Sequence, residues 1–87
     1  MFDEIWELLL HCREELGMAS STVVWIENGK KISPRIMLFY EQYKITIQLR
    51  LENVLINLDE YGYEQTVDYL DQEVETILLR YRRMMGD

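Results

Sequence analysis

The sequence predicts an α+β fold, an αββββα two-layer sandwich, and three observations predict it. Apolar residues recur at helical spacing at both ends of the chain. Between residues 18 and 59 the period falls from 3.6 to 2. Within that stretch Asn28-Gly29 follows the run Val23-Val24-Trp25-Ile26, the strongest short signal for a hairpin. A chain of 87 residues has room for one domain, residues 1–87.

The first helix is predicted over residues 2–16. Phe2, Ile5, Trp6, Leu9, Cys12 and Leu16 form one stripe, widened by Leu8. Asp3, Glu4 and Glu7 fall in the opening turns, where the helix dipole favours anions. Gly17 is placed to end the helix in a left-handed conformation.

Four strands are predicted next, at about 21–27, 34–40, 43–51 and 54–59. Tyr43 to Leu51 alternates cleanly: Tyr43, Ile45, Ile47, Leu49 and Leu51 face one way, and Lys44, Thr46, Gln48 and Arg50 the other. If Glu52-Asn53 is a two-residue turn, Leu51 opposes Val54, Leu49 opposes Ile56 and Ile47 opposes Leu58. If Glu41-Gln42 is another, Tyr40 opposes Tyr43, Leu38 opposes Ile45 and Ile36 opposes Ile47. All these pairs are apolar, which suggests an antiparallel meander. Pro34 belongs at the start or exposed edge of its strand.

The last helix is predicted at about 63–85. Tyr63, Val67, Leu70, Val74, Ile77, Tyr81 and Met84 keep a strict 4-3 spacing. That seam either covers the sheet or joins two copies of the chain.

Composition narrows the function. A single cysteine, Cys12, permits no internal disulfide. Apolar runs are too short for a membrane span, and acids stand near Met1 where a signal peptide carries bases. A cytoplasmic protein is expected, in the host cytoplasm if the chain is viral. The net charge of −7 has the wrong sign for direct nucleic-acid or anionic-membrane binding, and favours a protein partner with a basic surface.

Several residue sets are candidates for function. No Lys or Arg occurs between Arg50 and Arg80, a stretch that holds eight acids. On the last helix Glu64, Asp68, Asp71 and Glu75 are spaced 4, 3 and 4, an acidic ridge beside the apolar seam. Like charges at this spacing cost a few tenths of a kcal/mol per pair. The ridge is either a solvated face or a docking site, with Glu60 at its foot and Tyr61 and Tyr69 as aromatic anchors. A second interface is offered by Val24, Ile26, Met37, Phe39 and Leu55, expected on the sheet face away from the helices, unless the fold buries them.

Chemistry is scarce by comparison. His11-Cys12 has no second His or Cys to complete a metal or nucleophilic site; Cys12 reads as core and His11 as surface. Asp59-Glu60 is an ordinary adjacent acid pair, and no phosphate-cradling glycine loop is present. Arg80, Arg82 and Arg83 are too few to anchor nucleic acid against this net charge. No catalytic residue, metal ligand or cofactor site is assigned. The expectation is a non-catalytic acidic protein-binding module that inhibits or regulates a basic nucleic-acid-binding protein. By class, on size and charge alone, it is similar to the small phage-encoded antagonists of host defence, such as anti-CRISPR proteins and DNA mimics. The alternative is a homo-oligomeric structural or assembly subunit, a homodimer being the simplest case.

Overall fold

The computed structural model describes residues 2–86, the side chain of Phe2 excepted. Helix α1 spans Phe2–Glu15, and strands β1, β2 and β3 span Ser20–Asn28, Lys31–Tyr40 and Ile45–Arg50. Helices α2 and α3 follow at Leu51–Tyr61 and Tyr63–Met84. The sheet is an antiparallel meander in the order β1-β2-β3. The fold is α+β as expected, but with three strands; the predicted fourth, 54–59, is helix α2.

Two periods compete in that segment. Val54, Ile56 and Leu58 fit alternation, but Leu51, Val54, Leu55 and Leu58 fit i, i+3, i+4, i+7. The helix wins. It buries Val54 and Leu58 and leaves Ile56 exposed. The expected turn Glu52-Asn53 becomes its first turn. Pro34 helps end β3: it is the next residue of β2 after the last pair, Arg35–Arg50, and has no N–H to offer a longer β3. Gly62 then separates α2 from α3 at φ 87°, ψ 176°, a region open essentially to glycine alone.

The turn at Glu41-Gln42 also differs. Four residues, Glu41 to Lys44, connect β2 to β3, closed by Lys44 N–H donating to Glu41 C=O at 3.1 Å, with Lys44 at φ 53°. The register is therefore Tyr40–Ile45, Leu38–Ile47 and Ile36–Leu49, two residues from the expected one. An even shift keeps each side chain on its face, so the expected core survives the error. The first hairpin turns on Gly29-Lys30, with Asn28 paired to Lys31 and Gly29 at φ 66°, so β2 begins earlier than expected.

Ile5, Leu8, Leu9 and Cys12 of α1 meet Ile36, Leu38, Ile47 and Leu49 of the sheet, with Val54, Leu58, Leu70 and Val74 from the other helices. Each is buried, and each sheet residue belongs to one face. Gly17, at φ 72°, ends α1 as expected, and the following Met18 N–H donates to Cys12 C=O at 3.1 Å. Ser21 ties α1 to β1: its buried hydroxyl donates to Leu9 C=O at 2.8 Å and accepts from Arg13 Nε at 3.0 Å. The α3 seam covers the core with Leu70 and Val74, flanked by the part-buried Tyr63, Val67 and Ile77, but it runs out at Met84, which is 80% exposed. No helix is long and apolar enough to cross a membrane, among the described residues.

Candidate interaction surfaces

Helix α3 carries the acidic ridge as the spacing requires. Glu64, Asp68 and Glu75 are exposed. Asp71 is not free: it is half-buried, and its Oδ1 lies 2.7 Å from Nε2 of His11 on α1. His11, expected at the surface, is half-buried as well. The ridge available to a visitor is therefore Glu64, Asp68 and Glu75. Glu60 and Tyr61 are exposed at the end of α2, beside the foot of α3, while Tyr69 is half-buried.

The packing of α1 beside α3 enlarges the acidic surface. Glu7, His11, Glu14 and Glu15 share a shallow groove with Tyr63, about 300 Å3 in volume. Glu15, Asp71 and Glu75 line another, about 350 Å3, with Arg82 at its far end. Arg82 also donates from Nε to the hydroxyl of Tyr43 at 3.5 Å. Carboxylates from two helices thus face each other across one seam. Across this seam His11 of α1 is bonded to Asp71 of α3. The α1 acids were open to sequence reasoning one by one, but only tertiary packing sets them against α3.

Burial and these charges shift the groups beneath. Burial, then the charge of Asp71, pushes the Cys12 thiol from its ordinary 9.0 to about 11. Cys12 is thus a protonated, enclosed thiol at neutral pH, with no nucleophilic character. Tyr63 is raised by burial and then by Glu7, and Tyr69 by burial and then by Glu73.

The second expected interface divides. Val24, Ile26, Met37 and Phe39 alternate onto the sheet face opposite the core, and none is buried. Leu55 does not join them, because it belongs to α2 and packs against the core cluster. It lines a third groove, about 390 Å3, with Pro34 and Ile56 between Glu52 and Asp59.

The end of the first hairpin is a further exposed apolar surface, one with no motif in the sequence to mark it. Trp25 is 67% exposed and Ile32 is 64% exposed, although both alternate onto the core face of their strands. The hairpin runs past the last helical cover. Trp6, 58% exposed, lies seven residues before Arg13 and so on the same side of α1, toward β1. A meander order alone places β1 at an edge, which is the signal that could have marked it.

Comparison with known protein families, with curated protein sequences and with solved structures finds no match for this chain.

Proposed function

We propose that the protein is a non-catalytic binding module whose α1–α3 surface docks a basic partner, in the manner of an inhibitor or regulator of a nucleic-acid-binding protein. One observation carries the reading: carboxylates of both helices line the same seam, Glu7, Glu14 and Glu15 from α1 with Asp71 and Glu75 from α3, and Asp71 is bonded to His11. Convergent like charges are held at a small cost in stability, and their field steers a cationic surface and fixes its orientation. The spacing of carboxylates along α3 offers a partner a row of anions such as phosphates present. Glu60 and Tyr61 extend the surface at its foot, Tyr61 as an aromatic anchor. Cys12, enclosed and protonated, offers these acids no thiolate.

The test is capture from host lysate by immobilised protein, with duplex DNA and salt as competitors. The expected result is a nucleic-acid-binding protein, released by either competitor and lost when Glu64, Asp68 and Glu75 are all replaced by Lys. Asp71 is left intact so that its bond to His11 survives. Capture that ignores both DNA and the triple replacement contradicts the proposal.

A further inference from the structure

Strand β1 is an edge with few of the usual protections: its one charge, Glu27, stands near one end, and Arg13 donates to the Ser21 carbonyl near the other. It is nine residues long, contains no Pro or Lys, and pairs with β2 without a bulge from Ser20–Phe39 to Asn28–Lys31. Its middle, Thr22-Val23-Val24-Trp25-Ile26, is β-branched and aromatic. The backbone shows which groups are not bonded to β2. A two-residue loop closes on the pair Asn28–Lys31, and hydrogen-bonded pairs alternate from there. Asn28, Ile26, Val24 and Thr22 therefore bond to β2. Pro34, without an N–H, agrees, because it lies opposite Trp25 in a non-bonded pair. Ser21, Val23, Trp25 and Glu27 turn their N–H and C=O groups outward.

We propose that a second copy of this chain occupies that edge, β1 pairing antiparallel with β1 to make one six-stranded sheet. The strand is its own complement. The symmetric register that uses all the outward groups has its twofold axis at Val24, pairing Ser21 with Glu27, Val23 with Trp25, and Thr22 with Ile26 of the other copy. All the central pairs are apolar or β-branched, on both faces. Charge agrees with this register at its ends. Glu27, the only charged residue of β1, comes to lie beside Ser21 of the other copy. Ser21 is where Arg13 sits, its Nε 3.0 Å from the hydroxyl and its Nη2 2.9 Å from the carbonyl oxygen. Each interface end thus gains a Glu27–Arg13 contact between copies. The exposed Trp25 of one copy covers Val23 of the other, on the side where Trp6 projects from α1. Within β1 only Glu27 is charged, so the edge itself brings little of the chain's net charge of −7 to its twin. The contact is isologous and closes on itself, so it yields a dimer and not a fibre.

Sedimentation at micromolar concentration tests the state, and two kinds of variant test the place. Trp25→Pro removes an outward N–H and the aromatic without touching the ladder to β2; Trp25→Lys keeps the N–H, removes the aromatic and adds a charge to the edge. Val24→Cys puts two thiols on the twofold axis, in a pair with Cα atoms about 4.5 Å apart, within disulfide reach. The expected result is a wild-type dimer, monomers for both Trp25 variants with unchanged circular dichroism, and a disulfide-linked dimer from Val24→Cys. Thr22→Cys and Ile26→Cys alone should link far less, since each faces the other position across the axis. A monomeric wild type, a dimer that survives both Trp25 substitutions, or equal linking at positions 22, 24 and 26 overturns the proposal.

Discussion

The helical side of the molecule and the end of its first hairpin differ in nearly every physical respect. Along the α1–α3 seam the exposed groups are carboxylates, and the apolar residues beneath them are enclosed. At the hairpin, Trp25 and Ile32 stand in water, and the neighbouring charges are Glu27, paired with Ile32, and Lys30 and Lys31 of the turn. Both regions come from amphipathic segments. The difference lies in what covers the apolar side. The helices cover one end of the sheet's inner face, and the hairpin outreaches them, so alternation that buries Ile36 and Leu38 leaves Trp25 and Ile32 bare. A residue's face is set by local periodicity, but its burial depends on how far the neighbouring layer extends.

The largest expected contrast is in stability. Leu38→Ala, at a fully enclosed site on the central strand, should cost about 2–5 kcal/mol, while Trp25→Ala at low protein concentration should change stability by less than about 0.5 kcal/mol. Urea unfolding of the two variants checks this. A comparable loss at Trp25 would mean that the hairpin end is covered after all.

An intermediate effect is expected at the joint between the regions. Ser21→Ala removes a second donor from Leu9 C=O and leaves Arg13 Nε without its acceptor, at a cost of about 1–3 kcal/mol. Ser21→Thr, which keeps the hydroxyl, should retain more stability in the same unfolding assay. Equal losses would assign the effect to packing.

The smallest effect sharpens the helical side through pH. Cys12 holds its proton more tightly folded, near 11, than unfolded, near 9.0. Its contribution is therefore complete below about pH 9 and is lost as pH rises toward 11, by at most about 1–3 kcal/mol. Tyr63 and Tyr69 shift in the same direction. Cys12→Ala should flatten part of that alkaline slope, though it also removes a core side chain. Thermal unfolding from pH 7 to 10.5 reads the slope; an unchanged slope would remove Cys12 from it.

Much of the fold was legible in the chain, and the misreadings share a cause. Helix α1, its glycine stop, the first hairpin and α3 each have one dominant period and clear punctuation. Residues 54–59 satisfy two periods at once, and no local rule decides between them; the decision rests on Pro34 across the sheet and Gly62 downstream. The turn length at residues 41–44 was equally silent, since a two-residue slip leaves every face unchanged. At the candidate surface, the ridge on α3 followed from spacing alone. The bond from His11 to Asp71 joins residues sixty positions apart and has no local signature. Leu55 was assigned to the sheet because its segment was, and its true position on α2 removes it from the open face.

The central claim is that a cationic partner meets the helical side and leaves the hairpin alone. Amide chemical shifts recorded during titration with an arginine-rich peptide test it residue by residue. Salt-sensitive shifts are expected to centre on Glu7, Glu14, Glu15, Glu64, Asp68 and Glu75, with Thr22 to Glu27 unmoved. Shifts centred on the β1–β2 hairpin, or none along the α1–α3 seam, would contradict it.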